Sequence, residues 1–183
     1  MKKLFFAFAA VTLLAACNTR SSDTSAHADG QDTAQNGAGQ SAVVDDVSNP
    51  NIVQVAAKNT DFSTLVTAVK AAGLVDALSN AGPFTVFAPT NAAFEKLPKG
   101  TVEGLLKPDK KDELSNILGY HTYVGVLEGV LLQDGASYDM VYGGKVKITH
   151  KEDKIYVNDS EITGTVKTSN GVIHVINDVL LPQ

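Results

Sequence analysis

Two apolar stretches limit what this chain can fold into: FTVFAPTNAAF, from Phe84 to Phe94, and GVIHVINDVLLP, from Gly171 to Pro182. They stand near the start and at the end of one block. In the first, Phe84, Val86 and Ala88 alternate with Thr85, Phe87 and Pro89, and aromatic and β-branched residues at that spacing predict a buried strand. Pro89 ends it. Thr90 or Asn91 then caps a short helix whose first turn carries Ala92, Ala93 and Phe94. The second stretch predicts the closing strand. Val172, Ile173, Val175 and Ile176 form an apolar run interrupted by His174. Asn177 and Asp178 supply turn chemistry before Val179, Leu180 and Leu181 resume.

The pattern between and before them divides into two halves. Asn49 is placed to cap a first helix with Pro50 at its first position, where the missing donor costs nothing. Ile52, Val53, Val55 and Ala56 are its buried side. Phe62, Leu65, Val66 and Val69 fall at the spacing of one helical face, and Gly73 breaks that helix. Leu74, Val75 and Leu78 predict another short helix, and Val102, Leu105 and Leu106 a turn or two more. Asp109 is read as the cap of a helix bearing Leu114, Ile117 and Leu118, with Gly119 as its stop. From Val124 onward short alternating segments follow: Val126 to Leu132, Ala136 to Val141, Lys145 to Thr149, Lys154 to Val157 and Glu161 to Lys167. A helical half followed by a strand-rich half is an α+β arrangement, and no internal repeat divides it. The segment from Val124 to Leu132 is expected to be a core strand and not an exposed patch.

The two stretches resemble the signature boxes of the fasciclin domain, and Tyr120 with His121 matches that family's tyrosine-histidine pair. The resemblance covers residues 51–183, within a folded domain placed at 49–183. It implies a wedge-like β-sandwich or small barrel with helices packed on it. It also implies a non-enzymatic module for adhesion or for contact with a surface protein or matrix component. Some members bind carotenoids, which leaves a carrier of a small apolar ligand as the alternative. In animal matrix members the segment around the tyrosine-histidine pair is associated with receptor binding. Here it is GYHTYVG, no Arg-Gly-Asp tripeptide is present, and Arg20 is the only arginine. Tyr120 and His121 are therefore the candidate binding residues, weighed against a purely structural role at a helix-to-strand junction.

The N-terminus has its own logic. Lys2 and Lys3 precede an apolar segment from Leu4 to Ala16, too short to span a bilayer and laid out as a secretory signal over residues 1–16. Leu14, Ala15, Ala16 and Cys17 resemble the lipobox of bacterial lipoproteins. That resemblance implies cleavage after Ala16 and acylation of Cys17, the single cysteine. Several acyl chains at about 0.8 kcal/mol per buried methylene would hold the chain on a membrane. Asn18, where aspartate would favour inner-membrane retention, points to the outer membrane of a two-membrane envelope, facing the periplasm or the cell surface. Residues 17–48 are rich in Ser, Thr, Ala, Gly, Gln, Asn and Asp, a composition that cannot offset its ordering entropy. They are expected to form a tether of roughly 30 Å root-mean-square reach.

Charge and motif content exclude several classes. Taking Lys2 and Lys3 from the 15 basic side chains leaves 13 against 20 acidic ones, a net charge near −7 with histidines neutral. Nucleic-acid phosphates would be repelled by such a surface. No nucleophile elbow, paired-histidine zinc motif or phosphate loop occurs, so no catalytic, metal or cofactor residue is assigned. His121, His150 and His174 are too far apart in sequence to form a local metal clamp. His174, inside an apolar strand, is expected to be a core histidine with its hydrogen bonds satisfied. Glu152 with Asp153, and Asp159 with Glu161, sit among lysines and are expected to be hairpin surface.

Overall fold

Asn51 begins the first helix by satisfying the donors that a helix start leaves bare. Its Oδ1 accepts the Gln54 N–H and the Gln54 side chain accepts the Asn51 N–H, both at 2.9 Å, a reciprocal capping box. The computed structural model describes residues 49–182. The signal segment, the tether and Cys17 lie outside the described residues. Helix α1 spans Ile52–Lys58, so the cap falls two residues beyond the expected Asn49, and Pro50 precedes the helix instead of opening it. The Asn51–Gln54 pair outcompetes Asn49, which has no glutamine or glutamate three residues on.

A single 3-10 turn, Thr60–Phe62, leads into α2, Ser63–Ala72. Phe62, Leu65 and Val69 are buried on its inner face as their spacing predicts, and Gly73 closes the helix with φ 72°. Helix α3 is Val75–Ser79, α4 is Asn91–Glu95, α5 is Thr101–Leu105 and α6 is Lys111–Tyr120. Asp109 does not cap α6. It lies in a 3-10 turn, Pro108–Lys110, and Lys110 occupies the cap position without a side-chain bond. Pro108 holds that turn in a tighter winding, which takes the Asp109 carboxylate off the start of α6. Gly119 is not a stop either. It lies within α6 under the Tyr142 ring, and a Cβ there would meet Tyr142 Cδ2 at 1.5 Å.

Among the described residues seven strands make one sheet: β1 Phe84–Pro89, β2 Thr122–Val124, β3 Ser137–Asp139, β4 Lys145–Lys151, β5 Lys154–Val157, β6 Ser160–Thr168 and β7 Gly171–Ile176. Their order is β2-β1-β7-β6-β5-β4-β3. The first and last strands, β1 and β7, run parallel beside each other, and every other pair is antiparallel. The two ends of the sheet come together where the Val141 N–H donates to Thr122 O at 3.0 Å. The Tyr123 and Tyr138 rings meet edge to face at 5.4 Å on the same seam. The result is a nearly closed barrel with helices packed on one side.

Alternation along β1 and β7 explains why there are two cores. Val86, Ala88 and Ile173 face α1, α2, α3 and α6, in a cluster with Phe62, Leu65 and Leu118. Phe87 and Ile176 face into the barrel with Leu127, Met140, Val146, Ile148 and Val157. A strand pair buried on both faces carries apolar residues at consecutive positions. Each fully buried side chain of this size contributes about 1.5–3 kcal/mol.

The expected core strand over Val126 to Leu132 does not form. After β2 the chain turns at Gly125 (φ 139°), and Gly129 (φ 54°) opens a 3-10 turn, Gly129–Leu132. Two glycines in that backbone region break the extended run. Leu127 and Leu132 still turn inward, but Val130 is 76% exposed and Leu131 46%. The other predicted strands appear as β3, β4, β5 and β6.

Candidate functional site

The residues at the end of α6 lie at the boundary between the two cores. Tyr120 is the last residue of α6 and is buried against the barrel. Its hydroxyl donates to Lys145 O at 2.8 Å and accepts from Asn158 Nδ2 at 3.3 Å, tying the helix to β4 and to the turn after β5. Gly144 makes room for the ring, since a Cβ there would stand 2.6 Å from Tyr120 Cε2. His121 caps α6 and is equally buried. Its backbone carbonyl accepts the Phe87 N–H, which anchors it to β1.

The two ring nitrogens of His121 have different partners, and those partners set the tautomer. Ile117 O, at 2.8 Å from Nδ1, accepts only, so Nδ1 carries the proton. The Leu180 N–H, at 3.0 Å from Nε2, donates, so Nε2 is bare. The ring is therefore neutral with both positions satisfied. Burial pushes its pKa down from 6.5 to about 4, against the opposing influence of the Ile117 carbonyl.

His174 shows the mirror arrangement inside the barrel. Its Nε2–H donates to Leu127 O at 2.7 Å, and Nδ1 accepts from the Thr165 hydroxyl at 2.9 Å. The ring stacks on Phe87, its register partner across β1 and β7, with centroids 5.6 Å apart. Burial lowers its pKa, opposed by the Leu127 carbonyl and the Glu128 charge. Thr85, a neighbour on β1, donates to Gly125 O at 2.7 Å and accepts the Leu127 N–H at 2.9 Å. Thr85 and His174 thus pin the loop after β2 onto the barrel. The third histidine, His150, bonds a different carbonyl, that of Leu132. Among the described residues no group of three His, Cys, Asp or Glu side chains is placed to hold a metal ion.

Of the paired carboxylates Glu152, Asp153 and Asp159 are exposed on the surface. Glu161 pairs with Lys154 at 2.9 Å, and Glu152 sits at φ 56° in the turn between β4 and β5. Beside His121 the helical layer contains a cavity of about 40 Å³ lined by side chains that include Leu65, Phe94, Leu105, Leu118, Val179 and Leu181. A second void of about 30 Å³ lies behind Leu65, Leu118 and His121. Each has about the volume of one water molecule in the liquid. Asn170, which the sequence reading passed over, ties α1 and α3 to the start of β7.

The family model of the fasciclin domain matches residues 60–182. The chain belongs to the fasciclin domain family. Protein sll1483 of Synechocystis is 53% identical over 132 residues, 72% of this chain and 73% of that protein. The cell surface glycolipoprotein MPB83 of Mycobacterium bovis is 37% identical over 158 residues, 83% of this chain and 69% of that one. A solved FAS1 domain pair from the insect cell adhesion molecule Fasciclin I superposes with TM-score 0.63 at 17% identity. That match covers 72% of this chain and 51% of the insect chain, so this chain spans about half of it and shares its fold. In this fasciclin domain both members of the tyrosine-histidine pair face inward, and all their side-chain polar atoms are engaged by the domain's own backbone or by Asn158.

Proposed function

We propose that the chain is a membrane-anchored, extracytoplasmic, non-enzymatic binding module that acts by adhesion or surface contact. The observation that carries this reading is the distribution of side chains. Tyr120, His121 and His174 spend their polar atoms holding the fold together, while apolar side chains are left on the outside. Val124, Val130, Leu131, Val141 and Tyr142 are each more than 40% exposed. Val130 with Leu131 and Val141 with Tyr142 stand next to each other in the chain, and adjoining exposed apolar groups are contact material. Similarity to a protein named as a cell surface glycolipoprotein supports the location. The lipobox-like run ending at Cys17 supports lipid anchoring there, with the outer membrane favoured over the inner.

Two measurements test this. Metabolic labelling with a radioactive fatty acid should mark the full chain and fail with Cys17→Ser, and the wild-type label should sediment with outer membranes. Cells displaying the full chain should adhere to a matrix-coated surface and lose that adhesion on Val130→Asp with Leu131→Asp. Labelling that survives Cys17→Ser would remove the anchor, and adhesion unchanged by the double variant would remove this contact surface.

A second reading, carriage of a small apolar ligand, is favoured by the apolar cavity beneath α5, a helix with no buried residue of its own. Ligand pockets run to about 300–1,000 Å³, so α5 would have to move outward to admit a pigment or lipid. Native mass spectrometry and visible absorbance of the protein purified from its own host decide this, because a bound chromophore or acyl molecule would be seen directly.

A further inference from the structure

Residues Asn177–Pro182 follow β7 as an irregular strap across the boundary between the two cores. Leu180 points into the barrel cluster and is 3% exposed, whereas Val179 and Leu181 line the helical-layer cavity. The strap's polar contacts are concentrated at its first two residues. Asn177 exchanges bonds with Glu161, by its own N–H to Glu161 O at 3.2 Å and from the Glu161 N–H to its Oδ1 at 2.9 Å. Lys96 Nζ donates to Asn177 O at 2.8 Å and pairs with Asp178 at 2.9 Å, and the Ser160 hydroxyl donates to Asp178 O at 3.3 Å. Beyond Asp178 the strap is held by the packing of Leu180 and, among the described residues, by one hydrogen bond, from the Leu180 N–H to His121 Nε2.

That single bond ends on the one atom of His121 able to take a proton. Nδ1–H is committed to Ile117 O, so protonation occurs at Nε2 and sets two N–H groups against each other. We propose that the strap from Val179 onward is a latch released by protonation of His121, uncovering the helical-layer cavity before the barrel unfolds. The charged groups on the elements packed around the ring are Lys58 on α1, Lys70 on α2, Asp76 on α3, Glu95 and Lys96 at α4, Glu103 on α5, Lys111, Asp112 and Glu113 on α6, and Asp178 on the strap. None is hydrogen-bonded to the imidazole, so an imidazolium there would have no bonded counter-charge. Lys96 and Asp178 neutralise each other at the hinge end and stay paired while the far end lifts. Opening lets the ring reach water and regain an ordinary histidine's affinity for protons.

Hydrogen-exchange mass spectrometry on the full chain, corrected for intrinsic pH effects, tests the latch. Between pH 7 and pH 4 the peptide containing Val179 to Leu181 should lose protection on the order of 100-fold, from the difference between about 4 and 6.5. At every pH in that range the strap should exchange faster than peptides of β4 and β5, which open only when the whole barrel unfolds. In His121→Gln, whose side-chain oxygen can accept from Leu180 without titrating, the strap's pH response should vanish. Should that variant fail to fold, NMR of the wild-type full chain decides. The His121 ring carbon and the Leu180 amide nitrogen must then titrate with one midpoint. A strap as well protected as the barrel at low pH, a strap response that persists in His121→Gln, or two separate midpoints would each overturn the proposal.

Discussion

Asn170 accepts the backbone N–H of Ile52 at 3.0 Å across 118 residues of sequence, while its amide nitrogen donates to Leu78 O and Asn80 O at 2.8 Å each. One side chain thus joins the start of α1 and the end of α3 to the turn before β7. Asn170→Ala would leave one donor and two acceptors of the backbone without this partner. At about 1 kcal/mol per hydrogen bond, the loss should come to about 3 kcal/mol. Urea denaturation should show it as a lower midpoint with an unchanged slope.

Acid should weaken the fold through His121, with the sign set by its depressed pKa. The unfolded chain binds the proton near 6.5 and the folded one only near 4, so the contribution is full above pH 6.5 and is lost as pH falls towards 4. The difference corresponds to about 3 kcal/mol. His174, lowered by burial as well, adds in the same direction. Urea midpoints measured between pH 4 and pH 7 should rise with pH, and His121→Gln should flatten the slope.

Two glycines in neighbouring strands should respond oppositely to alanine. At Gly171, with φ 154°, a Cβ would stand 1.9 Å from Phe84 O, where the parallel pair of β1 and β7 begins. Backbone atoms cannot swing aside, so Gly171→Ala should cost more than about 3 kcal/mol or prevent folding. At Gly164 a Cβ meets Val175 Cγ2 at 3.6 Å, an ordinary contact. Gly164→Ala should be neutral or stabilising by about 0.5 kcal/mol. Thermal melts of the two variants side by side give the comparison.

Asn91 caps a helix other than its own. Its Oδ1 accepts the Thr64 N–H at 3.1 Å in the first turn of α2, and its Nδ2 donates to Thr60 O at 2.9 Å. Thr90, at the cap position of α4, makes no side-chain bond there. Asn91→Ala should therefore lower stability by about 1 kcal/mol with Thr90→Ser nearly silent. Faster amide exchange in the first turn of α2 would locate the loss.

Much of this fold is legible in local pattern. Alternation in Phe84–Pro89 and the apolar run from Val172 to Ile176 identify the two strands buried on both faces, and Gly73 marks a real helix end. The failures have a common cause, competition from partners distant in sequence. Asn170 beside Gly171 looks like hairpin turn chemistry, and its turn role hides the three backbone groups it binds elsewhere. Val126 to Leu132 carries enough apolar residues for a strand, but Gly125, Gly129 and the bonds to Thr85 bend it outward. Asp109 and Asn91 are good caps by type, and in each case geometry set by neighbouring turns redirected them. For Tyr120 and His121 the sequence marks the pair by resemblance. Which carbonyls and N–H groups they meet depends on the placement of Lys145, Asn158 and Leu180.

The place of β7, last of the described strands yet central in the sheet between β1 and β6, has a consequence for folding. A nascent chain emerging from the ribosome can wind its helices early, but β1 has no parallel neighbour until residue 171 has left the tunnel. Contacts of such long sequence separation slow folding. The domain therefore cannot close its sheet until its own last strand has been made, and a chain cut short before Gly171 has helices with no closed barrel to rest on.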